Sequence, residues 1–560
     1  MIGRTALAAG VRLRLLALAG GLLTLAAQPP ARPADTIVVN AHVVTVDPQF
    51  SIAQAVAISG GRFSAVGTDA AIRRLAGPAT TVIDLHGQTV IPGLADGHLH
   101  DAGGGPGVDL SRARSIADVL AAVAARVAQT RPGEVIVSNS DWHEAQLAEH
   151  RLPYRKDLDR VSPDHPVVLV RGGHEYILNS AALTKWKITR DVPQPAGGRI
   201  TRGDDGELNG ELIDRAKALV QLPASAPLTV EALVEQHRRL NAAGLTSIRY
   251  PGAPVAQYRL LQEMARRGTL TIRVNQLLRL PAEDGGSMQQ AIAATGIKAD
   301  EGDEWVRIGG MKLAVDGGFE GGWMREPYAE PWGEHGTFRG VNTMRQGPYT
   351  DVVKALNRLG WRVATHAVGD AAIDEVLAAY EAASAERSIV GKRWSIEHGF
   401  IPQADQFPRM KALDLVISAQ DHLYLAGPSL VQYWGLKRAA WTTPTRAYLD
   451  RKFVVAGGTD SAVVPYPPLW VIYHFVTRDT ISGGVLGPDQ KISRQEALRV
   501  ETINNAYLTF EEAIKGSIEP GKLADLVVLP QDILTCPDKQ IEQMAVSMTM
   551  VGGRVVYQRR

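Results

Sequence analysis

The alternation of strand-like and helix-like segments through the middle of the chain most constrains its fold. Apolar segments that end in polar residues or glycine occur at 246–250, 270–280, 305–317, 361–370, 393–400, 413–420 and 452–461. Amphipathic stretches separate most of them, as at 351–359 and 371–384. Strands that alternate with helices favour a parallel sheet with helical crossovers. A further strand at 89–98 brings the count to eight, the number that closes a (β/α)8, or TIM, barrel.

The sequence pattern at both ends of the chain is different and is typical of short β-strands. Short segments rich in Val, Ile and Thr precede residue 89, with a hairpin signal at Gly60 and Gly61, and Gly552 and Gly553 mark a similar hairpin near the C-terminus. We therefore predict an α/β protein in which 35–88 and 510–560 form a small β-sandwich domain and 89–509 form the barrel. An insertion of about 105–240 follows the first barrel strand and should hold helices and at least the strand "HPVVLVRGG".

Titratable side chains recur at the ends of the predicted barrel strands, where barrels place their active sites. They are His98, His100, Lys312, His366, His398 and Asp460. Each has an ordinary alternative: a strand-end histidine is often structural, Asp460 could cap a helix, and Lys312 could pair with Asp316 or another acid. Together, at one end of five strands, they predict a metal site. The single cysteine, Cys536, excludes a cysteine-rich cluster.

Imidazole and carboxylate ligands indicate a divalent cation, with zinc favoured and manganese, iron or cobalt as alternatives. Such a cation lowers the pKa of a bound water toward about 7 and polarises a carbonyl group. The predicted chemistry is attack of metal-activated hydroxide on that carbonyl. Asp460 would accept the proton of the water and then deliver it to the leaving nitrogen, as general base and then acid.

Several motifs carry a family resemblance. The segments "DLHGQTVIPGLADGHLH", "MKLAVDGG", "VATHAVGDAAID", "SIEHGF", "GTDSAV" and "GSIEPGKLADLVVL" resemble the amidohydrolase superfamily. The chain is most similar to the branch called amidohydrolase family 3, which includes N-substituted formamide deformylases. The resemblance covers residues 36–556, and "HRLPYRKDLDRVSPDHPVVLVRGGHEYILNSAAL" fits the insertion of that branch.

The resemblance implies roles for the six residues. His98 and His100, with Asp460, would hold the more buried ion, and His366 and His398 would hold a second. Lys312 stands where members with two ions often have a carboxylated lysine that bridges them. Whether one or two ions bind, and whether Lys312 is carboxylated, stay open.

Other residues are weaker candidates. After "VVLVRGG", His174 could donate to a substrate carbonyl or only satisfy loop backbone, and the resemblance favours substrate contact. Pocket or packing roles are equally open for Trp142, His143, His422 and Tyr424. We expect Arg171 and Glu175 to be solvated or paired in a salt bridge.

The predicted function is metal-dependent hydrolysis of a C–N bond in an amide, N-acyl, N-formyl or cyclic amide group. Alternatives are a deaminase or an ester or lactone hydrolase on the same site, and a non-catalytic periplasmic binding or metal-sensing protein that keeps the fold. The partner is a small-molecule substrate. With 60 Lys and Arg against 59 Asp and Glu, the net charge of +1 argues against a nucleic-acid surface. A homodimer stays open.

The first residues suggest export. Arg4, Arg12 and Arg14 precede the apolar run "LLALAGGLLTLAA", and the loop-like "QPPARPAD" follows it. A charged start, an apolar middle and small residues describe a secretory signal peptide, which we predict with its loop over 1–34. The run is shorter than the roughly 20 residues that span a bilayer, although a retained anchor is an alternative. We expect a periplasmic or secreted protein without stable membrane insertion after cleavage.

Overall fold

The structure is a computed structural model and describes residues 32–224, 227–329, 336–462 and 467–560. Most of the predicted signal peptide, residues 1–31, therefore lies outside the described residues. No helix in the described ranges is both long and apolar enough to cross a bilayer.

The N-terminal part consists of seven short strands and one helix. The strands are β1 (Thr36–Val39), β2 (His42–Val44), β3 (Ile52–Ala53), β4 (Ala55–Ser59), β5 (Arg62–Gly67), β6 (Thr81–Asp84) and β7 (Thr89–Pro92), and helix α1 (Asp69–Arg73) lies between β5 and β6. The first barrel strand, β8 (Leu94–Asp96), follows at once. The strand predicted over 89–98 is thus divided, and only its second part belongs to the barrel.

Close packing at Gly93 explains the division. Its N–H donates to Asp525 O at 2.9 Å. A Cβ added at Gly93 would lie only 2.1 Å from Thr246 Oγ1, so only glycine lets the backbone pass this close to the neighbouring barrel strand. The chain turns from one sheet into the other at this residue.

The insertion forms a separate sheet with short helices. Its elements are α2 (Ile116–Val127), β9 (Ile136–Val137), α3 (Arg155–Asp159), β10 (Val167–Arg171), β11 (Glu175–Leu178), α4 (Ser180–Lys185), β12 (Gly198–Arg202) and β13 (Leu208–Asp214), with 3-10 helices at Glu144–Gln146 and Arg215–Leu219. The strand order is β12-β13-β11-β10-β9. The strand predicted from "HPVVLVRGG" is β10.

Seven further parallel strands complete the barrel sheet. They are β14 (Leu245–Ala253), β15 (Arg273–Leu278), β16 (Val306–Ala314), β17 (Val363–Ala367), β18 (Ser395–His398), β19 (Val416–Gln420) and β20 (Val455–Gly458). Each pairs with the next in chain order, and β14 also pairs with β8. Gly97 N donates to Gly457 O at 2.8 Å, and Asp460 N donates to His98 O at 2.7 Å, so the ends of β8 and β20 meet. The predicted (β/α)8 barrel is confirmed.

Helices lie between and after these strands. They are α5 (Val230–Ala242), α6 (Val255–Arg267), α7 (Gly285–Thr295), α8 (Gln346–Arg358), α9 (Asp370–Glu386), α10 (Gln406–Ala412), α11 (His422–Trp434), α12 (Leu436–Trp441), α13 (Thr445–Asp450), α14 (Pro468–Thr477), α15 (Arg494–Val500) and α16 (Ile503–Leu508), with a 3-10 helix at Pro488–Gln490. In α6 the buried residues are Tyr258, Leu261 and Met264, three apart and hence on one face. This face packs into the core that the barrel strands share.

The C-terminal part returns to the N-terminal strands. It contains β21 (Leu526–Leu529), α17 (Asp538–Gln543), β22 (Met548–Val551) and β23 (Arg554–Gln558). One sheet has the order β5-β4-β1-β6 and the other β23-β22-β21-β7-β2-β3. Residues of both sheets, among them Val38, Phe63, Val528 and Met550, form one apolar cluster, as expected for a sandwich. The residue limits of the sandwich domain stay a prediction.

Candidate metal centre

A cavity of about 590 Å³ opens at the carboxyl ends of the barrel strands. All six predicted site residues line it: His98, His100, Lys312, His366, His398 and Asp460. The strand before the first histidine pair ends at Asp96, so His98 and His100 lie in the loop that follows rather than on a strand. Both nevertheless reach the same point.

His98, His100 and Asp460 bring three ligand atoms together. Asp460 Oδ1 lies 3.6 Å from His98 Nε2 and 3.1 Å from His100 Nε2. Their ligand atoms lie within 4.8 Å of one another, close enough to hold a single ion. The Nζ of Lys312 lies 3.4 Å from His98 Nε2, beside this group. The structure therefore assembles four of the six predicted residues here.

A second set of ligand atoms shares Asp460. Its Oδ2 lies 4.0 Å from His398 Nε2 and 3.1 Å from His422 Nε2. These three residues are buried, and their atoms also lie within 4.8 Å of one another. His422 is the first residue of α11. The sequence alone did not decide whether it lines the pocket or packs in the core. It is next to the ligand cluster because α11 starts directly after β19.

His366 lies beside both sets but in neither. Its Nε2 donates to Gly317 O at 3.1 Å and lies 3.5 Å from Asp316 Oδ1. Its ring centroid is 4.5 Å from that of His398. A shared ion between His366 and His398 therefore stays a prediction.

The structure contradicts a capping role for Asp460 and the pairing of Lys312 with Asp316. Helix α14 begins at Pro468 with Pro467 as its N-cap, so Asp460 does not cap it. The Asp316 carboxylate accepts backbone N–H groups of Trp323, Val368 and Gly369 and makes no ion pair with Lys312.

Partners on the far side of each ring hold the histidines in place. The Nδ1 of His98 lies 2.5 Å from Glu397 Oε2, and Arg249 donates to both oxygens of Glu397 at 3.0 Å. The Nδ1 of His398 lies 2.7 Å from Gln420 Oε1. Metal-binding histidines ordinarily have such a partner, which sets the tautomer and directs the other nitrogen at the ion. Sequence reasoning missed Glu397 and Gln420.

The electrostatics suit a cation. Burial lowers the pKa of His98 to about 4, helped by nearby Lys312, and lowers the pKa of His398 well below its usual value. Both rings are therefore neutral at neutral pH, the form that binds metals. Burial acts to raise the pKa of Asp460, but His98, His100 and His422 outweigh it and hold that pKa well below its usual range. The neutral rings of His98 and His398 beside the ionised carboxylate of Asp460 fit a divalent cation.

Backbone conformation also singles out two of these residues. His398 has φ 75° and Asp460 has φ 59°, in the left-handed region that side chains other than glycine rarely adopt. Such conformations concentrate at functional sites, where the surrounding structure holds them.

His174 lines the same cavity on the side of the insertion. Its Nδ1 lies 2.6 Å from Asp214 Oδ1, and its ring is 5.5 Å from the ring of His366. The Asp214 contact orients the ring and leaves Nε2 for a second partner. Substrate contact by His174 stays a prediction that this position allows.

The remaining weak candidates have structural roles. Trp142 is fully buried and donates to Val170 O at 2.8 Å, and His143 Nδ1 accepts the N–H of Ala145. The hydroxyl of Tyr424 donates to Glu542. Of the two states expected for Arg171 and Glu175, solvated or paired, the structure shows the second. They form an ion pair and both are buried. Because these groups are shielded from water, the positive charge of Arg171 stabilises the acids around it. Its Nε lies 2.8 Å from Glu144 Oε2 and 3.3 Å from Glu175 Oε2.

The sequence model of the amidohydrolase family matches residues 81–557. The chain belongs to the amidohydrolase family. Its match covers the barrel, the insertion and the C-terminal strands of the sandwich. As a member of this family the protein is a metal-dependent hydrolase that acts on carbon–nitrogen bonds.

Individual relatives agree with this assignment to the amidohydrolase family. An N-substituted formamide deformylase of Arthrobacter pascens is 31% identical over 94% of this chain and 98% of its own length. A solved structure of an uncharacterised metal-dependent hydrolase from Pyrococcus furiosus has a TM-score of 0.62 at 26% identity, covering 89% of this chain and 100% of its own. In fold, the chain is also similar to an uncharacterised metal-dependent hydrolase from Pyrococcus horikoshii, with a TM-score of 0.65 at 23% identity, covering 90% of this chain and 99% of that one.

Proposed function

We propose that this protein is a zinc-dependent hydrolase that removes a formyl or other acyl group from nitrogen. One observation carries the proposal: two sets of ligand atoms share Asp460, and all of these residues except His422 line a cavity large enough for a small substrate. The formamide deformylase relative, which aligns over nearly the whole chain, supports a formamide or related amide as the substrate class.

The residues present fit a divalent cation, and imidazole with carboxylate suits zinc. When bound, such an ion supplies a Lewis acid for the carbonyl oxygen and makes water a stronger nucleophile at neutral pH. His98 and His100 with Asp460 would hold one ion, and His366 and His398 a second, with Asp460 and His422 close to His398. Lys312, whose Nζ is 3.4 Å from His98 Nε2, would bridge them as a carboxylated side chain.

Asp460 is the group that moves the proton. Its carboxylate is ionised, since the neighbouring histidines hold its pKa well below the usual range against the effect of burial. In hydrolysis the C–N bond breaks, a C–O bond forms, and one hydrogen of water is transferred to the leaving nitrogen. Asp460 accepts that hydrogen as a proton and delivers it to the nitrogen.

His174 is suited to the oxygen of the scissile carbonyl. It faces the ligand cluster across the cavity, and Asp214 holds its ring through Nδ1. Because Nδ1 donates to Asp214, the doubly protonated ring is the form that can also donate through Nε2 to an oxygen on which negative charge develops. His174 would thus orient the substrate and stabilise the tetrahedral intermediate.

The N-terminal segment supports export as part of the proposal. Three arginines precede the short apolar run, the layout that the secretion machinery recognises. Expression of the full chain, separation of periplasm from cytoplasm, and N-terminal sequencing test this point. We expect a mature protein that begins near residue 28, and an uncleaved cytoplasmic protein would contradict export.

The function is tested on purified protein by metal analysis followed by a substrate screen. The screen contains formamides, N-acyl amino acids, cyclic amides, esters, lactones and amino-heterocycles, each with and without chelator. We expect zinc in the protein and chelator-sensitive release of amine from an amide. Turnover restricted to esters, lactones or amino-heterocycles would favour the other chemistries, and bound metal without any turnover would overturn the proposal.

A further inference from the structure

Besides Lys312, three cationic side chains line the cavity, and none of them forms an ion pair with a carboxylate among the described residues. They are Arg215, Lys217 and Arg279. Arg215 donates to the Thr343 carbonyl oxygen at 2.6 Å, and Lys217 donates to the Gly173 carbonyl oxygen. Within the described part of the chain, Arg279 makes neither a hydrogen bond nor an ion pair.

These cations come from two sides of the cavity mouth. Arg279 follows the end of β15, whereas Arg215 and Lys217 belong to the 3-10 helix of the insertion. A Cβ added at Gly252 would lie 3.3 Å from both Arg279 Cβ and Lys312 Cγ. Arg279 therefore stands next to Lys312, at the edge of the ligand cluster.

The charges of this group act on one another. Arg279 and Arg215 are exposed at the cavity mouth, and partial desolvation there, followed by the nearby charge of Arg215, lowers the pKa of Arg279. Burial lowers the pKa of Lys217, and Arg279 adds to that effect while Asp214 opposes it. Three cations with one acid, Asp214, close by leave this part of the cavity with a net positive charge, which an anionic ligand would balance.

Each acid of the cavity has a partner other than these three cations, although the charge of Asp214 also acts on Lys217. Asp214 contacts His174, Asp316 accepts three backbone N–H groups, and Asp101 accepts the N–H of Gly103. Asp460 belongs to the ligand cluster. None of these acids forms an ion pair with Arg215, Lys217 or Arg279 in the ranges that the structure describes, so the mouth keeps a net positive charge that a ligand can meet.

Apolar side chains lie beside this region. The cavity lining includes Leu280, Pro281, Met288, Leu313 and Met344. A ligand that fits must present an anion to the three cations and an apolar body to these residues. Its amide group must also reach the ligand cluster.

We propose that the cavity selects amides that carry a free carboxylate, as N-acyl and N-formyl amino acids do, and that Arg279 binds this carboxylate with help from Arg215 and Lys217. The inference rests on the proposed function, because it names the substrate class of that same site. A guanidinium group suits this task, since its planar donors match a carboxylate in a bidentate contact.

Matched substrates test the proposal on the metal-loaded protein. N-formylleucine and N-(3-methylbutyl)formamide share the scissile group and the apolar body but differ in the carboxylate. N-(3-methylbutyl)succinamic acid places the carboxylate on the acyl side instead. We expect kcat/KM to be at least tenfold higher for one or both anionic amides than for the neutral one.

Substitution of Arg279 then assigns the effect to this residue. Arg279→Gln should lower kcat/KM for the preferred anionic amide at least tenfold, mainly through KM, and change the neutral amide less than twofold. Arg279→Lys should have an intermediate kcat/KM for the anionic amide, because lysine keeps the positive charge but lacks the paired planar donors of the guanidinium group. Arg266→Gln, at an exposed arginine on α6 outside the cavity, is the matched control and should change neither substrate.

Equilibrium binding keeps the test decisive if Arg279→Gln fails to fold. Calorimetric titration of the metal-free wild-type protein should show at least tenfold tighter binding of N-formylleucine or the succinamic acid than of the neutral formamide. Lys217→Gln should reduce that difference. If no amide is hydrolysed at all, the proposed function is wrong. If anionic and neutral amides are hydrolysed equally by wild type and Arg279→Gln, only the carboxylate site is wrong.

Discussion

Asp460 contributes an oxygen to each of the two sets of ligand atoms. Asp460→Asn keeps the size and one acceptor oxygen but removes the negative charge and the ability to accept a proton. We expect kcat to fall about 10²- to 10⁴-fold, the usual contribution of a positioned general base. Much of the metal should remain bound, since the histidines are unchanged. The measurements are kcat and metal content by mass spectrometry.

The control for that variant is Asp204→Asn, at an exposed turn of the insertion. It should retain wild-type kcat and metal content. A fully active Asp460→Asn protein would show that another group moves the proton.

Glu397 acts on the site through His98 and Arg249. All three are buried, and the carboxylate bonds to both. Glu397→Gln should weaken metal binding about 10- to 100-fold, the typical effect of losing the partner of a ligand histidine. It should also destabilise the fold by about 3–5 kcal/mol, because Arg249 is left as a buried unpaired charge. Competition titration with a chromogenic chelator and thermal unfolding measure the two effects.

An exposed ion pair provides the comparison. Glu235→Gln on α5 breaks a surface pair with Arg238 at 2.8 Å, which should cost at most about 1 kcal/mol and leave metal binding unchanged. Equal effects of the two substitutions would contradict the role assigned to Glu397.

The six lining residues could be predicted because each stands near the end of a recognisable strand. Glu397, Gln420 and His422 could not. Their importance comes from contacts across the barrel, such as the one between Glu397 and His98, which are 299 positions apart. No local pattern distinguishes Glu397 from another buried strand residue. The sequence is equally compatible with a packing role for His422. Its contact with Asp460 arises because β19 and β20 are neighbours in the barrel.

Among the elements, the eight barrel strands followed from apolar runs that end in polar residues, and all eight are present. The boundary at Gly93 could not be predicted. Residues 89–98 read as one apolar run, whereas the structure assigns β7 to the sandwich and β8 to the barrel. The reason is the approach of Thr246, which belongs to another strand and leaves no local signal.

Gly93→Ala tests this explanation. The added methyl group would lie 2.1 Å from Thr246 Oγ1, and forced overpacking of this kind costs typically about 1–3 kcal/mol. We expect a lower denaturant midpoint in urea unfolding. Gly67→Ala, where nothing lies within 4 Å of the new Cβ, should have little effect.

A second substitution sharpens the test. Thr246→Ala removes the clashing atoms and should recover part of the loss in the double variant, as expected for residues in contact. Additive effects of the two substitutions would show that Gly93 is required for another reason.

Over the whole molecule, the cavity depends on parts that the motifs do not describe. The barrel supplies the ligand cluster, and the insertion supplies His174, Asp214 and two of the three cations. Sequence reasoning could predict that an insertion exists from the length of the segment between two barrel strands. It could not predict which insertion residues face the cluster, because that depends on how two separate sheets pack.

A cation held at the predicted ligands would join β8, β18, β20 and the start of α11, which are distant in sequence. Binding to the folded state alone stabilises it by about 2.7 kcal/mol when free metal is 100 times Kd. We expect chelation to lower the apparent Tm by a few degrees and added zinc to restore it. The apparent Tm is the proper quantity, since a chain with several domains need not unfold in two states. The His98→Ala, His398→Ala double variant removes a histidine from each set and should show no response to chelator or zinc. If the Tm of that variant shifts by the same amount, the stabilising ion binds elsewhere. The predicted ligands would then not be the metal site on which the proposed hydrolysis depends.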